Sequence, residues 1–372
     1  MHYLDHNATS PMRAGVLEAM MDVGGAARNA MSLHYHGRKA RVLSDQAREE
    51  LRELLSFPKA EVVFTSGGTE ADNLGVLGFA RHRRELSGAS RILLSPWEHP
   101  AVLEPIEHLR GEGFEVDYLP VKGDGSLDIS AASALMDEQV ALVAVMLAQN
   151  ETGIIFDVAS IASLCHRVGA HLHCDAVQAV GKIPISATEL GVDSLALSAH
   201  KFGGPRGIGV LMSMKGSRPS PLWAGGGQEE GTRSGTHPVP LICGMTKALE
   251  LASADLANYA KIRALHAEFE RRLVDELGLG VIGAELERLP NTTSVWIPEI
   301  QSTSWVADLS KRGFAVSAGA ACHSDSDEPS RLHNLCGQTD RSLKMLRVSS
   351  GLETPHSALE ELVDALKAIL AG

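Results

Sequence analysis

Lys201 sits just past the apolar run Ser194–Ala199 and ahead of a glycine-rich turn, Gly203-Gly204-Pro205-Arg206-Gly207. An amine at the end of a buried strand can be stripped of water, which lowers its pKa and makes it a nucleophile. A second run, His171–Cys174, leads into Asp175 and then Gln178; an acid placed there can pair with a cationic ring nitrogen. A third, Val62–Phe64, leads into Ser66-Gly67-Gly68-Thr69-Glu70. Glycines followed by a helix start expose N–H groups that, with the helix dipole, favour a phosphate. The plainer reading is that Thr69 merely caps the helix. The pattern matches neither the P-loop nor the dinucleotide fingerprint. A phosphate cup, an acid and a lysine at strand ends of one sheet are together the groups that pyridoxal phosphate needs.

Three other features bear on chemistry. Cys322 lies between Ser317–Ala321 and a stretch, His323–Ser330, with almost no apolar residue, so a solvated loop with an available thiol is expected. Cys165 and Cys243 fall in helical patterns, Cys174 in a strand and Cys336 in an apolar patch, and all four read as structural. Arg347 shares a strand face with Leu343 and Met345, an awkward place for a guanidinium unless it meets an anionic ligand or a paired acid. His171 and His173 point the same way on one strand, but nothing nearby completes a tetrahedral set. Two satisfied interior histidines, with no metal, are expected there.

These residues need a frame. The chain has 372 residues, 44% apolar and 22% charged, which excludes wholesale disorder and suggests two domains. Short apolar runs at 62–65, 91–95, 115–119, 141–148, 171–175, 194–199 and 208–212 read as strands. Helical stretches at 69–86, 100–109, 130–136 and 157–168 fall between some of them. That alternation predicts an α/β fold with a mostly parallel sheet covered on both faces. Residues 238–277 are helical but too long for one unbroken helix, so a break and a change of domain are expected. A smaller α+β domain follows, with strands at 280–282, 293–297, 315–317 and 343–349 and helices at 304–312 and 356–370. A net charge of −12 repels phosphate backbones and argues against nucleic acid as the main partner. The longest clean apolar run, Ala141–Ala148, is far short of a membrane span, and the N-terminus lacks the apolar stretch of a signal peptide. Five scattered cysteines with no C-x-x-C pair suit a reducing compartment, the cytoplasm.

Nine motifs carry a resemblance: YLDHNAT at 3–9, TSGGTEADN at 65–73, EHPAV at 98–102, QNETG at 149–153, DAVQA at 175–179, SAHKFGGPRG at 198–207, GGGQE at 225–229, RSGT at 233–236 and SAGAAC at 317–322. In this order they resemble the cysteine desulfurases of the NifS/IscS type, fold-type-I pyridoxal-phosphate enzymes related to class V aminotransferases. The resemblance implies a large domain, 14–255, with a seven-stranded, mostly parallel sheet. It implies a small α+β domain, 1–13 with 256–372, that carries the cysteine loop. Carried over residue by residue, it implies that Lys201 joins the aldehyde of pyridoxal 5'-phosphate and that Asp175 pairs with the ring nitrogen. His99 stacks on the ring and acts in proton transfer, and Gln178 contacts the phenolic oxygen. Gly68, Thr69, Ser198 and His200 hold the phosphate, with Thr236 supplied by the partner subunit of a homodimer. Asn150 and Arg347 bind the substrate carboxylate.

Cys322 is then the thiol that takes sulfur from L-cysteine, leaving alanine, and hands it as a persulfide to an acceptor protein, an iron–sulfur scaffold being the usual destination. His323 stands where the family often has Ser or Thr, and His323 and His99 both remain candidates for deprotonating Cys322. Two alternatives stay open: a selenocysteine lyase on the same scaffold, and a non-catalytic partner in sulfur relay.

Overall fold

The computed structural model describes residues 1–25, 29–297, 302–318 and 345–371. A short strand β1 (His2–Tyr3) is followed by helices α1 (Val16–Gly24) and α2 (Tyr35–Leu54). Alternation then sets in with β2 (Glu61–Thr65), α3 (Gly68–Ser87), β3 (Arg91–Leu94), α4 (Pro100–Gly111), β4 (Glu115–Tyr118) and α5 (Ile129–Ser133). It continues through β5 (Val140–Ala144), α6 (Val158–Val168), β6 (His171–Asp175), α7 (Ala187–Leu190), β7 (Ser194–Ser198) and β8 (Gly209–Ser213). The C-terminal part holds α8 (Val239–Ala254), α9 (Tyr259–Leu277), β9 (Thr292–Trp296), α10 (Ser302–Lys311), β10 (Phe314–Ala315), β11 (Met345–Ser349) and α11 (Ser357–Leu370).

Seven strands form one sheet in the order β2-β8-β7-β6-β5-β3-β4. Its neighbours run parallel except around β8, which is antiparallel to both β2 and β7. The reason is connection length: the link from β7 to β8 is too short to cross over a sheet face. Strand alternation divides the side chains between two cores. On one face Val143, Leu172, Cys174, Leu195 and Val210 pack toward α6 and α8. On the other, Val63, Leu142, Ala144, Ala196 and Leu211 pack beneath α3 and α4. A third core lies among α9, α10, α11, β9 and β11. Among the described residues no helix is long and apolar enough to cross a membrane.

The expected break in the long helical stretch falls at Asp255, where a single 3-10 turn, Leu256–Asn258, separates α8 from α9. Two strand expectations need correcting. The run at 141–148 stops being regular strand at Ala144, since the Met146 N–H turns to donate to Glu98 Oε1. Residues 280–282 make only isolated pairing, Val281 with Val295, alongside β9. Helix α2 has little signature in the sequence: it is strongly polar, and its buried stripe of Gly37, Ala40, Ser44 and Ala47, small residues ending at Leu51, gives weak apolar periodicity.

Candidate active site

Five of the expected residues or their motifs lie at carboxyl ends of parallel strands or just beyond them. Asp175 closes β6, Ser198 closes β7, and Lys201 completes the 3-10 turn Ala199–Lys201 that follows. Gly68 begins α3 directly after β2, and Asn150 lies in the segment leaving β5. This is the edge at which open α/β sheets bind ligands.

The start of α3 is tighter than a surface helix requires. A Cβ on Gly68 would stand 3.0 Å from Val177 Cγ2 and 3.2 Å from Ser198 Cβ, so the two strand ends close on the helix terminus. Thr69 does not cap the helix, contrary to the plainer sequence reading. Gly67 holds the cap position, and the Ser66 N–H instead donates to Glu70 Oε2 at 2.6 Å. Glu70 also accepts from Arg233 at 2.7 Å, which ties the 233–236 segment to this terminus. Thr236 itself is exposed, and no hydrogen bond among the described residues joins its side chain to the others. His99 caps α4, its Nδ1 accepting from the Ala101 N–H at 3.0 Å.

Asp175 is buried, and among the described residues its Oδ1 accepts only the Val177 N–H, at 2.8 Å. Loss of water, then the nearby Asp72 carboxyl, push its pKa up to about 8. Behind it the same strand face carries His173 and His171, which share Ser194 Oγ at 2.9 and 2.8 Å, as expected of satisfied interior histidines. His173 Nε2 also meets Asp72 Oδ1 at 3.2 Å, and burial holds this histidine down to about 4. His200 falls to about 4 as well, through burial first and then the positive Lys201, so its imidazole is neutral at pH 7. Burial also raises the thiols of Cys174 and Cys165, the latter to about 12, which makes both inert as expected of structural cysteines.

One residue that the sequence reading quoted without a role, Asn7, connects most of the group. It is buried, and its backbone oxygen accepts from Lys201 Nζ at 2.6 Å and Gln178 Nε2 at 3.0 Å. Its Nδ2 donates to Asn150 O at 3.2 Å, and its Oδ1 accepts from Lys182 Nζ at 2.9 Å. Lys201 Nζ reaches Ala8 O too, at 3.0 Å. Arg347 joins from β11: fully buried, it donates to Asn150 O at 2.9 Å and pairs with Asp5 Oδ1 at 2.7 Å. The paired-acid reading of Arg347 therefore holds. The guanidinium has its acid, yet its Nε is buried with no partner among the described residues. Nothing in the sequence singled out Lys182, which lies seven residues past Asp175 in an otherwise apolar stretch. Cys322, His323, Cys336 and the loop assigned to the reactive thiol lie outside the described residues.

The comparisons with known proteins agree with each other. Residues 2–362 match the pattern of the "Aminotransferase class-V" family. The chain is 42% identical over 337 residues to a "Cysteine desulfurase" of Cereibacter sphaeroides, covering 89% of this chain and 85% of that one. It is 36% identical over 375 residues to "Cysteine desulfurase IscS" of Dictyoglomus turgidum, covering 99% and 94%. A solved "NIFS-LIKE PROTEIN" superposes over 100% of both chains with a TM-score of 0.91 and 33% identity. A structure titled "SspA in complex with cysteine" covers 94% of this chain and 98% of its own, with a TM-score of 0.80 and 30% identity.

Proposed function

The chain belongs to the class-V aminotransferase family, and from that premise we propose that it is a cysteine desulfurase with the fold-type-I architecture. It uses pyridoxal 5'-phosphate to convert L-cysteine to L-alanine. The observation that carries the reading is a buried carboxyl, Asp175, and an amine, Lys201, at the ends of adjacent parallel strands, close enough for each charge to act on the other. A module that only binds another protein has no physical use for that pair.

The residues fit the cofactor. Burial outweighs the opposing charge of Lys201 at Asp175, and a protonated pyridine nitrogen in contact is the group that would hold the carboxyl ionised. The Gly68 terminus supplies N–H donors and a dipole where any Cβ would crowd Val177 and Ser198. Gly68, Thr69, Ser198 and the neutral His200 would hold the phosphate, Thr236 of the partner subunit completing the cup in a homodimer. Gln178 would meet the phenolic oxygen, Asn150 would border the cofactor, and His99 would cover the ring. When bound, the cofactor supplies an electron sink for the pair left behind as the substrate Cα loses its proton.

The remaining work falls to the chain. Arg347 and Asn150 hold the substrate carboxylate, and the buried Nε of Arg347, without a partner among the described residues, supports that role. Lys201 first anchors the cofactor and then carries the Cα proton, its amine held at rest by the carbonyls of Asn7 and Ala8. Cys322, as thiolate, attacks the substrate sulfur. The carbon–sulfur bond breaks, the sulfur–sulfur bond forms, and cysteine plus enzyme thiol become alanine plus enzyme persulfide, so no external oxidant is needed. The persulfide passes to an acceptor protein in the cytoplasm, an iron–sulfur scaffold in this reading. The division into 14–255 and 1–13 with 256–372 belongs to the same proposal, separating the cofactor cleft from the lobe that bears the thiol.

The test is direct. Purified protein with pyridoxal phosphate should be yellow and yield alanine from L-cysteine, one per sulfur transferred. Formation of pyruvate and ammonia in place of alanine would overturn the assignment. Selenocysteine turned over much faster than cysteine, independently of Cys322, would favour the lyase.

A further inference from the structure

Lys182 is 2% exposed, and among the described residues its contacts are two amide oxygens, Asn7 Oδ1 and Gln178 Oε1, each at 2.9 Å. Interior lysines ordinarily pair with a carboxylate. Among the described residues this one has none in contact, and burial first, then the cations Lys201 and Arg347 nearby, press its pKa well below the usual lysine value. So costly a placement needs a geometric return.

The return lies in the hydrogen-bonding chemistry of amides. Their oxygen and nitrogen ends are nearly the same shape, and only partners decide which way they face. A lysine amine at this point offers protons, so it holds the oxygen end of both side chains. Gln178 is thereby turned with Nε2 away from the lysine, one N–H donating to Asn7 O at 3.0 Å; among the described residues no second bond occupies the other N–H. Asn7 is turned so that Nδ2 donates to Thr292 Oγ1 at 2.9 Å and to Asn150 O at 3.2 Å. The backbone carbonyl of Asn7 seats Lys201 and that of Asn150 seats Arg347, so the two amides that Lys182 orients adjoin the groups that hold both cations.

We propose that Lys182 is a positioning residue, acting through Gln178 and Asn7, that fixes Gln178 as a hydrogen-bond donor toward the phenolic oxygen of the cofactor. This rests on the pyridoxal-phosphate reading above. With the lysine gone, the Gln178 amide is free to turn and present oxygen to oxygen.

The experiment is a spectrophotometric pH titration of the visible band of the protein loaded with pyridoxal phosphate. Wild type is compared with Lys182→Met, Gln178→Leu and the double variant. A donor to the phenolic oxygen competes with the proton that this oxygen shares, so losing it raises the midpoint, by about one pH unit for a hydrogen bond to a charged group. Both single variants should shift upward together, and the double variant no further. An unmoved midpoint in Lys182→Met beside a shifted Gln178→Leu, or shifts that add in the double variant, would overturn the proposal. So would an unmoved midpoint in Gln178→Leu. If Lys182→Met fails to fold, Lys182→Gln, whose amide can present its oxygen as readily as its two N–H donors, no longer forces the Gln178 orientation and should shift partway; a wild-type midpoint there also overturns it. Wild-type protein that develops no visible band instead sinks the cofactor reading itself.

Discussion

Asp175 is a carboxyl whose charge depends on what sits beside it. Its ordinary pKa is 3.8, and in the folded chain burial, then the Asp72 carboxyl, raise it to about 8 against the opposing charge of Lys201. Between those values the folded chain keeps a proton that the unfolded chain has released, so this group makes stability fall as pH rises through the window. Cofactor-free protein should therefore lose melting temperature from about pH 4 toward pH 8, and Asp175→Asn should flatten that trend. Parallel profiles for the two proteins would show that the carboxyl is not perturbed. Lys201 and Cys322 separate in a different way. Lys201→Ala should lose the visible cofactor band and turnover, whereas Cys322→Ser should keep the band and fail to gain the mass of one sulfur on exposure to cysteine. A persulfide found on the Cys322→Ser protein would move the thiol role elsewhere.

Element packing explains why these groups can be so close. Strand alternation turns His171, His173 and Asp175 of β6 toward α3, and α3 makes room with Gly75, where a Cβ would lie 2.3 Å from the His173 ring. Gly75→Ala should cost about 1–3 kcal/mol of stability through overpacking, read from urea unfolding. Loss under 0.5 kcal/mol would mean that the helix floats freely over the strand. Gly68→Ala acts at the other end of the same packing. The global fold should survive, while affinity for pyridoxal phosphate should fall about tenfold or more, since about 1.4 kcal/mol of misfit suffices. Equal affinity measured by equilibrium dialysis would remove the helix terminus from the cofactor site.

At the scale of the molecule, the open question is whether one chain makes a whole site. Thr236 is exposed and, among the described residues, joined by no hydrogen bond to the groups gathered around Asn7, although Arg233 anchors its segment to Glu70. If Thr236 serves the partner subunit's cofactor, mixed dimers of Lys201→Ala and Thr236→Val chains will concentrate both defects in one site and leave the other intact. Mixing two weak proteins should then restore roughly a quarter to half of wild-type activity, as the heterodimer fraction allows. No gain on mixing would place Thr236 in its own chain's site.

Much of this was legible before any coordinates, because it is local. Alternating strands and helices follow from periodicity, and residues just past strand ends inherit the ligand-binding edge, which is how Lys201, Asp175 and Gly68 declare themselves. The sequence by itself thus determined the class of fold, the family and the chemical groups. Tertiary structure alone decided their partners. Asn7 contacts Gln178, Lys182, Lys201, Thr292 and Ser349 across as many as 342 residues of chain, and no spacing pattern encodes such a meeting. Whether Thr69 caps its helix, which acid Arg347 finds and why a lysine is buried without a carboxylate are likewise decided by closure of the chain upon itself. Desolvation and pairing depend on every element that packs around a group, whereas periodicity depends only on its neighbours in sequence.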